Sequence, residues 1–233
     1  MFGRYRGTFR RECGDILVEA ESVEGLLTYR RRCEGKTFER ILVSDTGEVI
    51  INPVEPVNLP EEVTNYLQIE FSPMMIEPGA SRTVYLKFPV EIGVLVESAK
   101  DIKVLDVFAL GTQKYTLYGS PTTGVIARWY QSEVYPEIPQ VEPFREGVME
   151  FSIHNASHEW AEVSTAVFKG VDMKIYYDEF VAASAMMKIL GQGLAETDFI
   201  DAPLRPGMAK SIELYTARKI PVIGRGCLME CGF

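Results

Sequence analysis

Apolar and polar residues alternate with a period of two along most of this chain, the signature of half-buried β-strands. Ile16, Val18 and Ala20 share one parity while Glu19 and Glu21 hold the other, and after a turn at Gly25 the run Leu26-Leu27-Thr28-Tyr29-Arg30 reads as the returning arm of a hairpin. Residues 41–43 lead through Asp45-Thr46-Gly47, a hairpin-type turn, into Val49-Ile50-Ile51. Further strands are predicted over 67–71, 83–88, 92–96, 102–110, 114–117 and 124–130, rich in the β-branched and aromatic residues that suit a pleated surface. One short helix is predicted over 60–66, with Asn58 as cap, Pro60 in the first turn, and Glu61 and Glu62 facing the positive end of the helix dipole.

Pro136, Pro139 and Pro143 then interrupt the pattern by removing amide donors. Strands resume over 149–153, 161–168, 173–177, 194–200 and 211–215. Residues 178–190 contain good helix formers behind a capping Asp178, but their place between strands favours a strand near 183–190. The fold expected is all-β: a sandwich-like domain over 1–140 and an immunoglobulin-like sandwich over 146–233.

Composition narrows the function classes. Of the 233 residues, 46% are hydrophobic and 24% charged, so the chain can bury a core. The net charge is −9, a balance that repels phosphate backbones and argues against nucleic acid as a partner. The charge is uneven: residues 1–40 carry nine Lys/Arg against seven acids, the remainder fifteen against twenty-six. The apolar stretch 92–96 ends at Glu91 and Glu97, far short of the roughly 20 residues that cross a bilayer. With no apolar leader after Met1, a cytoplasmic location and reduced cysteines are expected, and no membrane insertion.

Candidate chemistry is sparse. Arg4, Arg6 and Arg10 share a strand face that can bind anions or simply protect an edge. Glu19 and Glu21 can pair across a hairpin with Arg30 and Arg32. His154 and His158 in His-Asn-Ala-Ser-His are weak metal candidates, since a site needs three or four ligands and Cys227-x-x-x-Cys231 lacks the usual two-residue spacing. No cofactor is expected. Asn155-Ala156-Ser157 formally fits a glycosylation sequon. Trp129, Tyr130 and Trp160 are read as core aromatics before a stacking platform. No nucleophile elbow and no phosphate loop appears. Two segments stand out: Glu55 and Glu91 each lie in rigid, Pro-containing backbone among apolar neighbours, a setting that can raise a carboxyl pKa or hold the group for a ligand, although the commoner outcome for such loop acids is that the prolines end strands and the acids point to water or close a loop hydrogen bond. Asn52, Glu55, Asn58 and Glu91 are the predicted binding residues.

The run Val49-Ile50-Ile51-Asn52-Pro53-Val54-Glu55-Pro56-Val57-Asn58-Leu59-Pro60, with Phe88-Pro89-Val90-Glu91-Ile92-Gly93-Val94, Met173-Lys174-Ile175-Tyr176-Tyr177-Asp178 and Ala195-Glu196-Thr197, resembles an archaeal family of uncharacterised proteins, domain of unknown function 432. The resemblance spans nearly the whole chain and implies an archaeal cytosolic protein, with no activity or catalytic residues to carry over. The function expected is a non-catalytic module, monomeric or homodimeric, that binds a protein or small ligand through the loops around Glu55 and Glu91. The alternative is a hydrolase using those two carboxylates on a substrate such as a carbohydrate, which requires them to converge in one cleft.

Overall fold

A computed structural model describes residues 1–33, 35–43, 48–60, 63–98, 101–218, 224 and 226–233. The protein is built almost wholly of strands, arranged in four sandwich-like sheets. The first is antiparallel, in the order Gly3–Arg6, Glu48–Val54, Glu91–Glu97, Ile102–Phe108. The second is a meander of Phe9–Cys13, Ile16–Val23, Leu26–Cys33 and Lys36–Val43. The third runs Lys114–Tyr118, Val125–Gln131, Tyr66–Ile76, Ala161–Lys169. In the fourth, Ala209–Lys210, Ile175–Tyr177, Val181–Gly191, Glu146–Asn155 and Ser81–Pro89 lie side by side, while Leu194–Ile200 and Cys227–Met229 extend it from Val181–Gly191.

The expected division near 137–147 does not separate sheets or cores. Ser81–Pro89 pairs with Glu146–Asn155, and Tyr66–Ile76 pairs with Ala161–Lys169, so strands from both sides share two sheets. One hydrophobic core runs from Phe9 to Met229. Phe71, Phe151, Phe168 and Phe199 cross it as a file of rings with centroids 6.1, 5.7 and 5.1 Å apart. The prolines do break the ladder: beyond a single bridge of Tyr135 to Tyr85, residues 132–145 form no strand. What they interrupt is a connection between layers.

Two pairings are parallel, Val125–Gln131 with Tyr66–Ile76 and Glu146–Asn155 with Val181–Gly191, which departs from the wholly antiparallel immunoglobulin pattern. The strand Val181–Gly191 confirms the reading of 183–190. Two local expectations are corrected. Within 60–66, the described residues are not helical: Tyr66 already begins a strand, and Thr64 donates its hydroxyl to Ile126 O and accepts from Tyr66 N–H at 2.9 Å. That side chain satisfies the amide a helix would have used. Glu61, Glu62 and the predicted turn at 45–47 lie outside the described residues. Near the C-terminus, the predicted strand 211–215 gives way to the helical turn Leu214–Ala217. None of the described helices is long and apolar enough to cross a membrane.

The candidate site lies where the first sheet is buried on both faces. In Glu48–Val54 and Glu91–Glu97, Val49, Ile51, Ile92 and Val94 enter the main core, while Ile50, Val54 and Leu95 pack under Leu214 of the helical turn. Burial from both sides explains why these strands read as continuous apolar runs. Pro53 is tolerated because Gly3–Arg6 pairs only as far as Ile51, leaving no neighbour on that side to miss its amide.

Candidate functional site

All four predicted residues are buried: Asn52 at 1%, Glu55 at 1%, Asn58 at 3% and Glu91 at 0% exposure. Asn52 and Glu55 stand at the end of Glu48–Val54, and the chain then bends back so that Asn58 meets Glu91 at the start of its strand. The bend is tied from within: Val57 N–H donates to Glu55 O at 2.9 Å, and the Asn58 amide donates to the same carbonyl. Asn52 Nδ2 donates to Ser211 Oγ at 2.8 Å, and Ser211 Oγ donates to Pro53 O, which stitches the C-terminal segment onto the bend.

The two carboxyls have separate surroundings. Glu55 Oε2 accepts from Leu214 N–H at 3.2 Å and so holds the first residue of the helical turn. Glu91 Oε2 accepts from Asn58 N–H at 3.0 Å. The charges acting on Glu55 are Glu213 and Lys174, whereas the one acting on Glu91 is Arg128. Burial pushes the Glu55 carboxyl up to about 8, with its own amide and that of Leu214 drawing it partly back. Burial likewise pushes Glu91 up to about 7, against the Asn58 amide and Arg128. Glu55 Oε1, Glu91 Oε1, Asn52 Oδ1 and Asn58 Oδ1 all lack a hydrogen-bond partner. Burial with so few donors in reach favours the uncharged form of both acids. The sequence marked these acids for their rigid context; their pKa values move as that context predicts, by desolvation.

Around this buried knot lie two cavities. The larger, about 590 Å³, has Asn58 and Leu59 on one wall. Phe38 and Arg40 of the meander form another, the C-terminal turn supplies Ala217 and Arg218, and the run from Asp101 to Val107 forms the floor. Asp106 is 8% exposed and neutralised: Arg31 Nε lies 2.6 Å and Tyr29 Oη 2.9 Å from its Oδ2. Burial and the Asp106 charge push the Tyr29 phenol up. The smaller cavity, about 350 Å³, is bounded by Pro89 and Val90, the residues just before Glu91, and by Arg128, whose charge acts on Glu91.

A model of a protein of unknown function (DUF432) matches residues 1–230. The chain belongs to the DUF432 family. No curated protein and no solved structure matches it.

The remaining candidates fall as follows. His154 lies in the strand Glu146–Asn155, exposed, with Nδ1 2.9 Å from Ser81 Oγ, and His158 is exposed in the following turn. Among the described residues no three His, Cys, Asp or Glu side chains stand close enough together to hold a metal. Asn155 is 0% exposed and donates to Ile76 O at 3.0 Å and Glu159 O at 2.8 Å, so its amide belongs to the core. Arg4 pairs with Glu48 and Glu97, and Arg32 pairs diagonally with Glu19 at 2.9 Å, which are ordinary face contacts. Trp160, expected in the core, is 60% exposed, because it sits just before the strand Ala161–Lys169 at the edge of the sheet's cover.

Sequence reasoning missed Arg128, Lys103 and the amide of Leu214. Arg128 had a readable signal. It shares strand parity with Tyr130, a charged residue inside an otherwise aromatic and apolar strand; the pairings to Tyr115 and Leu67 that turn it inward are set by the fold. The role of Leu214 had no local signal, since it is set by a contact 159 residues away in sequence.

Proposed function

We propose that this DUF432 protein is a non-catalytic interaction module that takes an extended, acid-bearing peptide segment of a partner protein along the edge of Ile102–Phe108. One observation carries this. That strand is hydrogen-bonded to Glu91–Glu97 on one side, has no strand on its other side among the described residues, and lines the 590 Å³ cavity with six consecutive residues, 102–107. An unpaired edge offers main-chain donors and acceptors to an incoming strand, while flanking pockets select its side chains. Lys103 and the register shift between Val104 and Asp106 are devices that keep such an edge from pairing indiscriminately.

The charge of the cavity points to the partner's chemistry. The Arg40 guanidinium lies 5.2 Å over the Phe38 ring, and among the described residues neither Arg40 nor Lys103 has a carboxylate partner. Both suit an acidic strand. Glu55 and Glu91 serve this surface from below, by holding the Asn52–Asn58 bend and the helical turn that form its walls. Their burial and separate partners support that structural role over shared acid–base chemistry on a substrate, which needs both carboxyls within reach of one bond.

The test is selection of binding peptides from a displayed random library, followed by fluorescence anisotropy and amide exchange. Extended acidic sequences that protect the amides of 102–107 and bind at least tenfold more weakly to the double variant Arg40→Glu, Lys103→Glu are the expected result. Peptides that bind the double variant equally well, or protection confined to another strand, overturn the proposal.

A further inference from the structure

The second cavity carries an inference independent of the strand edge. Arg128 lines it, yet the residue is only 2% exposed. Its Nη1 reaches Tyr115 Oη at 3.5 Å, the limit of a hydrogen bond, with the guanidinium 5.6 Å from that ring. Its Nε has no partner. A guanidinium has five donors in a planar fork, and a buried one left this poorly satisfied costs free energy unless something completes it. Glu91 feels the Arg128 charge, but no bond between the two groups fills the fork: Glu91 gives Oε2 to the Asn58 amide and leaves Oε1 unpartnered.

The rest of the cavity adds positive charge. Lys114 stands at its rim with the ammonium 5.3 Å over the Trp129 ring, and Arg145 donates to Leu110 O at 2.9 Å while its exposed guanidinium also meets Glu142 at 3.4 Å, a surface pairing that solvent weakens. Its one acid, Glu146, is already engaged by Lys87 at 2.9 Å and by the Tyr130 hydroxyl at 2.8 Å. Pro89, Val90 and Ala109 supply an apolar wall. The volume, about 350 Å³, is at the small end of ligand cavities.

We propose that this cavity is a binding site for a small organic oxyanion, a carboxylate or phosphate on a compact apolar body, received by Arg128 with Lys114 and Arg145 at the entrance. Charge-assisted pairing to a planar two-oxygen acceptor is what an arginine fork with vacant donors is shaped to make. The apolar wall takes the body of the ligand, and the cationic rim gathers anions to one place on a protein whose overall charge is −9.

Titration calorimetry with benzoate and with inorganic phosphate tests this on the intact chain. Saturable binding of benzoate, phosphate or both is expected, and the ratio of the two affinities distinguishes a carboxylate from a phosphate ligand. Arg128→Gln should weaken it at least tenfold. Because removing a buried arginine can unfold the chain, the rim double variant Lys114→Gln, Arg145→Gln provides a second reading, with a threefold or greater loss expected and an unchanged circular dichroism spectrum. No saturable binding of either probe, or unchanged affinity in a folded rim variant, overturns the proposal. The Arg40→Glu, Lys103→Glu variant should bind the anions as the wild type does, so failure of the peptide-edge reading and failure of this one remain separable.

Discussion

The Glu55 carboxyl makes a prediction that can be worked through in sign and size. In the folded protein burial holds it at about 8, against an ordinary value of 4.5. Between those two values the folded state binds a proton that the unfolded chain has released, so stability falls as pH rises, by about 1.36 kcal/mol per pH unit. The contribution is therefore harmless below pH 4.5, grows through the neutral range, and levels off above about 8. Integrated from pH 5.5 to 8, it amounts to on the order of 3 kcal/mol, a large share of the roughly 5–15 kcal/mol typical of a folded domain. Glu55→Gln keeps the shape and an oxygen for the Leu214 amide, and removes the titration. Urea unfolding of wild type and variant at half-unit steps from pH 5 to 9 measures it, and subtracting the curves cancels all other titrating groups. The variant should gain on the wild type by about 3 kcal/mol from pH 5.5 to 8. A difference that stays flat over that interval would refute the buried, proton-holding assignment of Glu55.

Two further outcomes follow from packing and pairing. A Cβ on Gly147 would stand 2.3 Å from Phe88 Cζ, and Phe88 is itself 0% exposed, so Gly147→Ala should destabilise by about 1–3 kcal/mol, read as a lower urea midpoint with an unchanged slope. Asp106→Ala should cost about 3 kcal/mol, since it strands both the Tyr29 hydroxyl and the Arg31 guanidinium. Tyr29→Phe should cost only about 1 kcal/mol, because it leaves the Arg31–Asp106 pair intact; equal losses in the two variants would contradict the pairing.

Strand identity was legible because it is a local property. The alternation of Ile16, Val18 and Ala20 reappears as buried positions in Ile16–Val23, and the placement of 183–190 between strands outweighed its helix-forming residues. Glu55 and Glu91 were legible as candidates from their rigid, Pro-containing context, but that context left open whether they face water or the interior, and only their burial in the fold desolvates them. The resemblance to DUF432 rested on the same segments and holds over residues 1–230.

Pairing was a different matter. Alternation says that a strand has an apolar face, but any other apolar face can cover it. The choice of Glu146–Asn155 as partner for Ser81–Pro89, across the proline-rich segment, follows from how all the layers fit together. So does the divergence of the two acids, with Glu55 held by an amide 159 residues away and Glu91 turned toward Asn58 and Arg128. The sequence by itself determined which segments are pleated and which carboxyls are set among apolar neighbours, because both depend on residues close in the chain. Only the tertiary structure decided which edge stays open and which guanidinium is left short of partners, because those depend on contacts that exist only after distant strands have met.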